Sequence, residues 1–249
     1  MARSVSLILL LTVASALAAP KSLPSTWPTC KKSDPNIGTC LQNAIQSVVP
    51  HLSEKGVKEL GVFPIDPLVV TTIDMVPGKG PVSIELHFSD LEITGFSKAK
   101  IGLVKADVDK YVFSAPLFFK QGVTLKGHYK IDGKVLVLPI TGEGPCELFL
   151  DDIDATVNLI GKELVKDGVT YMEVENFKFD FKPKRLNIKL ENLFNGNKQL
   201  SDNMNVFLNE NWAEVLKELK PAVTEAFGQA FGEITNRIFK KVPYNQIFT

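Results

Sequence analysis

Two short stretches of this sequence match motifs that carry acyl-transfer chemistry in serine enzymes. Ser97-Lys98-Ala99-Lys100 has the S-x-x-K spacing and Ser201-Asp202-Asn203 the S-D-N spacing of β-lactamases, in which the first serine is the nucleophile. The third motif of that set, K-T-G, is absent from the chain. The S-x-x-K serine should also open a helix, but here it lies between Thr94-Gly95 and an expected strand at Ile101. We interpret both matches as coincidence and expect no enzymatic activity.

The other polar groups with ligating chemistry do not form a recognisable site either. Three histidines lie on three separate predicted elements, without a zinc-ligand spacing to cysteine or carboxylate: His51, His87 and His128. The acidic cluster at 151–154 lacks the glycine and terminal glutamate of an EF-hand loop, so we favour a solvated face over a calcium site. Gly142-Glu143-Gly144-Pro145 is too short for a phosphate-binding loop and predicts a plain turn. We therefore expect neither a metal nor a cofactor.

Composition and the first residues restrict the function further. Lys plus Arg total 28 and Asp plus Glu total 28, so the chain lacks the basic excess that nucleic-acid binding needs. Arg3, the apolar run Val5–Leu11 and the small-x-small site Ala16-Leu17-Ala18 predict a secretory leader over residues 1–18. No later stretch is apolar for long enough to span a bilayer. We expect a secreted, extracellular protein without stable membrane insertion, whose residues 19–249 form a single domain.

The three cysteines follow the leader, in a compartment that permits disulfides. Cys30 and Cys40 flank a short loop that contains Asp34-Pro35-Asn36 and Gly38, which are turn formers. We predict a disulfide between them, with two reduced thiols as the alternative. Cys146 is left over, either as a buried inert thiol or as an intermolecular bridge.

Hydrophobic periodicity predicts one helix near the start and a series of strands after it. Residues 41–52 are apolar at helical spacing, with Thr39 as the expected N-cap and Gly56 as the end. Period-two alternation then predicts strands at these segments: Leu68–Val70, Val82–Phe88, Leu91–Thr94, Ala99–Asp109, Tyr111–Phe119, Val123–Ile131, Val135–Thr141 and Leu148–Asn158.

Two hairpins are predicted within this β-rich region. Asp132-Gly133 separates two strand segments and suits a turn with positive φ at both central positions. Phe177, Phe179 and Phe181 alternate with polar residues, as do Leu186, Ile188 and Leu190, with Pro183-Lys184 as the turn between them. One face of this second hairpin is apolar and the other polar, which predicts a curved sheet with an apolar inner side.

The last element differs from the rest. An apolar stripe at helical spacing runs from Leu208 to Ile238 and is interrupted only at Pro221, which should kink the helix. Such a helix would be about 50 Å long, whereas a spherical domain of this size would be about 45 Å across. We infer an elongated α+β molecule in which an antiparallel sheet wraps around the helix and leaves a tubular gap.

Several segments carry a resemblance to a known family. Phe63-Pro64-Ile65-Asp66-Pro67-Leu68-Val69-Val70, after a paired-cysteine segment and a helix, resembles the insect juvenile hormone-binding protein and takeout family. The similarity continues through Ser114–Leu117, Gly122–Gly144 and 209–243, which is nearly all of the chain after the leader.

The resemblance implies a long helix inside a curved antiparallel sheet, related to one half of the permeability-increasing and lipopolysaccharide-binding proteins. It also implies a tunnel for lipids such as juvenile hormone or fatty acids, and a disulfide at Cys30 and Cys40. A second disulfide found in the hormone carriers has no counterpart here, because Cys146 has no partner. The chain is therefore more similar to the takeout branch, in which roles in feeding, biological rhythms or chemosensation are implied.

We expect a carrier that binds a small apolar ligand and meets an unidentified receptor. A protein-interaction module with a closed core is the alternative, and a hydrolase that uses Ser97 is a third hypothesis. Apolar residues on the predicted inner faces are the candidates for the tunnel lining: Phe88, Phe113, Phe119, Phe177, Phe179, Phe181, Leu186, Ile188, Trp212, Leu216 and Phe227.

Overall fold

The computed structural model describes residues 20–75 and 80–249, so the leader peptide predicted over 1–18 lies outside the described residues. Three short 3-10 turns, at Lys58–Leu60, Phe96–Lys98 and Phe194–Gly196, join longer elements. Those elements are α1 (Ile37–Glu54), β1 (Leu68–Met75), β2 (Val82–Thr94), β3 (Lys100–Ile101), β4 (Lys105–Asp107), β5 (Val112–Phe119), β6 (Val123–Val135), β7 (Leu138–Lys166), β8 (Val169–Leu190), α2 (Lys198–Glu210), α3 (Trp212–Phe239) and α4 (Tyr244–Ile247). Within this part of the chain, no helix is long and apolar enough to cross a membrane.

The described strands form one antiparallel sheet in the order β1-β2-β6-β7-β5-β3, with β4 paired to β5 and β8 paired to β7. β7 spans 29 residues and lies at the centre, since it pairs with β5 and β6 along one edge and with β8 along the other. The inner face packs against α3 in a continuous apolar core. The predicted α+β fold, with a curled antiparallel sheet and a long C-terminal helix, is confirmed.

Alternation on the inner face follows the sequence pattern. In β2 the side chains of Val82, Ile84, Leu86 and Phe88 are buried, whereas the residues between them are more exposed. β2 then continues through Leu91–Thr94 after an irregularity between Ser89 and Glu92, so two predicted strands are one. The acidic segment of 148–158 is strand, as its alternation predicts.

The turn predicted at Asp132-Gly133 is wrong. Both residues lie inside β6 and pair with β2 on one side and β7 on the other, and the chain turns instead at Leu136-Val137. Gly133 has φ 138°, and a Cβ there would lie 2.4 Å from the Ser83 carbonyl oxygen. The glycine therefore permits a close approach of two strands.

The turn predicted at Pro183-Lys184 is also wrong. β8 is one strand of 22 residues, and the turn that precedes it is Asp167-Gly168, with φ values of 51° and 75°. Pro183 lies opposite Ile153 of β7. A proline fits here because β8 is an edge strand, which needs fewer backbone donors than a central strand.

Two further segments differ from their predictions. The strand predicted over Ala99–Asp109 is split into β3 and β4. Between them, three residues at 102–104 lie opposite only two residues of β5, because Ile101 pairs with Leu117 and Lys105 with Ser114. The extra residue interrupts the register. The plain turn predicted at Gly142–Pro145 is part of β7. Its glycines are needed because a Cβ at Gly144 would lie 2.7 Å from the Glu191 carbonyl oxygen.

The helix ends differ in detail from the predictions. α1 is preceded by Asn36, whose carbonyl accepts from the Cys40 amide, so Thr39 lies inside the helix and is not its N-cap. Gly56, with φ 62°, follows the helix end as predicted. The C-terminal stripe is divided at Asn211 into α2 and α3, whereas Pro221 lies within α3.

The outer edge of β8 is covered by side-chain amides of the two C-terminal helices. Asn205 and Asn209 of α2 each accept from a backbone amide of β8 and donate to the carbonyl of the same residue, at Leu190 and Ile188 respectively. Asn236 of α3 does the same at Val174. These amides take the place of a neighbouring strand and hold both helices against the sheet.

Candidate functional site

A first chamber lies between the inner face of the sheet and α3. It has a volume of about 120 Å³, and every lining residue is aliphatic, aromatic or methionine. Strand residues such as Phe88, Phe119 and Phe181 line one side, and Leu216 and Phe227 of α3 line the other. These side chains offer water no hydrogen bonds, so cavities of this kind stay dry or bind apolar molecules.

A second chamber lies nearer the chain termini. It has a volume of about 350 Å³. It is lined by the segment 23–30, α1, strands β5, β7 and β8, the end of α3 and Ile247-Phe248. Its walls are mainly apolar but include the hydroxyl-bearing residues Thr29, Ser114 and Thr235. This chamber is therefore larger and less uniformly apolar than the first.

Covalent and hydrogen-bonded links hold the wall of the second chamber. Cys30 and Cys40 form a disulfide, with Cα atoms 5.9 Å apart, which ties the N-terminal segment to α1. The Cys30 carbonyl accepts from the amide of Thr249, so the C-terminus is held at the same place. The Phe113 and Phe248 rings stack with centroids 5.6 Å apart and complete this wall.

Trp27 lines the second chamber and carries a buried donor. Its indole Nε1 is shielded from solvent and has no hydrogen-bond partner among residues 20–75 and 80–249. An unpaired N–H in an apolar setting costs free energy that an acceptor oxygen would recover. The second chamber is thus lined in part by residues with hydrogen-bonding groups, whereas no side chain that lines the first chamber has one.

The structure distributes the predicted lining residues among four places. The first chamber takes most of them: Phe88, Phe119, Phe179, Phe181, Leu186, Leu216 and Phe227. Phe113 and Phe177 line the second chamber. Ile188 is buried in the core and lines neither chamber, and Trp212 faces an outer depression beside Asn205 and Asn209.

Sequence reasoning missed other lining residues that the topology brings in. Strands β1 and β2 supply Ile73, Leu91 and Ile93, while the short turn after β2 supplies Phe96. Phe231 of α3 also lines the first chamber, one helical turn after Phe227. Its position on the same apolar stripe as Phe227 is the sequence signal that could have identified it as a lining residue.

The polar motifs found in the sequence do not form a site. Ser97 lies in the turn after β2, where its amide donates to Asp66 Oδ2, and Ser201–Asn203 lies in α2. In the acidic segment, Asp152 forms ion pairs with Lys120 and Lys184. Among the described residues, no group of three or more His, Cys, Asp or Glu is placed to hold a metal ion.

The free thiol of Cys146 is buried and unreactive near neutral pH. Cys146 is buried in β7, and burial raises the pKa of its thiol to about 11. The thiol is therefore neutral near pH 7, and a neutral thiol is a poor nucleophile. Tyr129 lies nearby and its hydroxyl donates to the Glu191 carbonyl, while burial raises its pKa well above the ordinary value.

Comparison with known proteins agrees with this architecture. The family model of the haemolymph juvenile hormone binding proteins matches residues 7–249. The chain belongs to the haemolymph juvenile hormone binding protein family. The resemblance predicted from the sequence is thereby confirmed, and the family is one of binding proteins, not of enzymes.

Relatives in this family match over nearly their whole length. The circadian clock-controlled protein daywake of Drosophila melanogaster is 26% identical over 96% of this chain and 94% of its own. Daywake of Drosophila yakuba is also 26% identical, over the same shares. The crystal structure of Epiphyas postvittana Takeout 1 is 29% identical, with a TM-score of 0.78 over 89% of this chain and 99% of that chain.

Proposed function

We propose that this protein is a secreted carrier that holds a small hydrophobic ligand between the sheet and α3. Its leader would occupy residues 1–18, and residues 19–249 would form one ligand-carrying domain. Membership of the juvenile hormone binding protein family supports the binding of a small hydrophobic ligand. The ligand class that we favour is a terpenoid hormone, a fatty acid or a similar lipid.

The observation that carries the proposal is the lining of the first chamber. About twenty side chains from six strands, one turn and one helix converge on it, and none has a polar group. A core that served stability alone would be filled, because voids lose packing energy. A maintained apolar void instead suits an apolar guest.

The free energies place limits on the ligand. Burial of about a dozen carbon groups, at about 0.8 kcal/mol each, gives a gross gain of ~10 kcal/mol. Association costs about 4–15 kcal/mol, so tight binding needs a cavity that is already formed. The first chamber is close in volume to an engineered cavity of about 150 Å³ that binds benzene. A longer chain would therefore require lining rings to turn.

The physiological setting is part of the proposal. The Drosophila relatives are named for control by the circadian clock. We extend that association to this chain as a role in biological rhythms, feeding or chemosensation, with an unidentified receptor as the further partner.

Native mass spectrometry of the protein from its own source tests the proposal. Solvent extraction then identifies whatever was bound. We expect a stoichiometric lipid or terpenoid that is released on denaturation. A protein that is reproducibly empty, and that takes up neither fatty acids nor terpenoids, would contradict the carrier function and support the closed-core interaction module.

A further inference from the structure

The two chambers are separate but very close to each other. They have no lining residue in common. On β8, Phe177 lines the second chamber and Phe179 lines the first, and two residues of a strand rise only about 7 Å. On α3, Thr235 lines the second chamber and Phe231 the first, which is one helical turn of about 6 Å. The barrier between the chambers is thus about one side chain thick.

Aromatic rings form that barrier, and Phe231 is at their centre. Its ring centroid lies 5.8 Å from that of Phe96, 6.1 Å from that of Phe177 and 5.5 Å from that of Phe179. The Phe227 ring is 5.8 Å away on the first-chamber side. The turn after β2, strand β8 and helix α3 therefore meet at one ring.

The backbone around the barrier is held in place, so the rings have a defined position. A Cβ at Gly228 would lie 2.7 Å from the Phe177 carbonyl oxygen, and one at Gly232 would lie 3.3 Å from the Phe177 Cβ. These glycines allow α3 to contact β8 directly at the height of the barrier. On the opposite side, the Asp66 carboxylate accepts from the Gly95 amide and so fixes the start of the turn that carries Phe96.

We propose that Phe231 and Phe177 form a partition that limits the length of the ligand chain. The inference rests on the proposed carrier function and deepens it. With the partition closed, a linear ligand is confined to the first chamber. When the partition is removed, the two chambers join, and a longer chain can extend into the larger space beside α1.

The expected signature is a break in the dependence of affinity on chain length. Each methylene that enters an apolar chamber should raise the affinity about fourfold. The rise should stop in the wild type when the chain reaches the partition. In Phe231→Ala and in Phe177→Ala the rise should continue to longer chains by several methylenes.

The experiment is displacement of a fluorescent fatty-acid probe by straight-chain acids, from butanoate to eicosanoate. Phe227→Ala is the matched control, because it removes the same ring from the same helix but opens only the first chamber. Thermal unfolding of each variant checks that it is folded. Phe231→Ala opens the partition from α3 and Phe177→Ala opens it from β8. Either variant alone can therefore test the partition if the other does not fold.

A break that moves to longer acids in Phe231→Ala or Phe177→Ala, by more than in Phe227→Ala, would support the partition. The same break in the wild type and all three variants would overturn it, while the carrier function would stand. If the probe fails to bind, or no acid displaces it from any of the proteins, the partition as a limit on chain length is overturned. The carrier function is overturned with it only if the protein takes up no terpenoid either.

Discussion

Replacement of Asn209 by leucine should destabilise the protein by breaking the amide cover on β8. The Asn209 side chain accepts from the Ile188 amide at 2.9 Å and donates to the Ile188 carbonyl at 2.7 Å. Leucine is similar in size but offers neither group. The change would leave an N–H and a C=O of a buried strand residue without these partners.

The size of the effect follows from the two bonds. Each contributes about 0.5–1.5 kcal/mol net, and a buried polar group left unpaired costs about 1–3 kcal/mol. Part of that penalty is relieved because Ile188 lies at a sheet edge, where water can approach. We therefore expect the free energy of unfolding to fall by about 2–4 kcal/mol.

Urea unfolding measures this difference, with Asn203→Leu as the control. Asn203 lies on the same helix, α2, but its side chain is exposed. The control should change the free energy of unfolding by no more than about 0.5 kcal/mol. Equal effects of the two substitutions would refute the account of the β8 edge.

Three further predictions concern covalent and ionisable groups. Replacing both Cys30 and Cys40 by serine should lower the free energy of unfolding by about 3 kcal/mol, because a loop with a sequence separation of 10 is no longer closed; urea unfolding checks this. Cys146 should react slowly with a thiol reagent at pH 8 in the native protein and fully in denaturant, and fast native labelling would contradict its burial. Hydrogen bonds from Lys120 and Lys184 lower the pKa of Asp152. The ionised carboxylate therefore stabilises the fold above its unfolded-state pKa of about 4, and this stabilisation is lost as the pH falls through the lower pKa of the folded state. Asp152→Asn should therefore be less stable than the wild type at neutral pH and equal to it in strong acid, as pH-dependent unfolding would show.

Hydrophobic periodicity predicted the fold class. When one face of a strand or helix is buried, apolar residues must recur along the whole element at the spacing of that structure. Local turn signals were less reliable. Asp132-Gly133 and Pro183-Lys184 have the composition of turns, yet both lie inside strands. Strands usually have 3–10 residues, so β7 and β8 are far longer than a short window suggests. Their pairing with each other, a non-local contact, outweighs the local preference.

The sequence predicted which residues face inward, but it did not predict where the cavity lies among them. Alternation identified Phe179 and Phe181 as inward residues, and both line the first chamber. Ile188 follows the same alternation, but it is buried in the core and lines neither chamber. Alternation shows that a side chain points inward, whereas the position of a cavity depends on how several elements pack together. Phe231 shows the same limit, because its place at the centre of four rings depends on strands distant in sequence.

The central claim is that an apolar ligand lies inside the molecule, between the sheet and α3. A crystal structure with terminally brominated dodecanoate tests it directly, because anomalous scattering locates the bromine without reference to the protein. We predict a bromine peak in the first chamber, in contact with the rings of Phe179 and Phe227. A peak only on the outer surface, or none in crystals of protein saturated with the acid, would contradict the account.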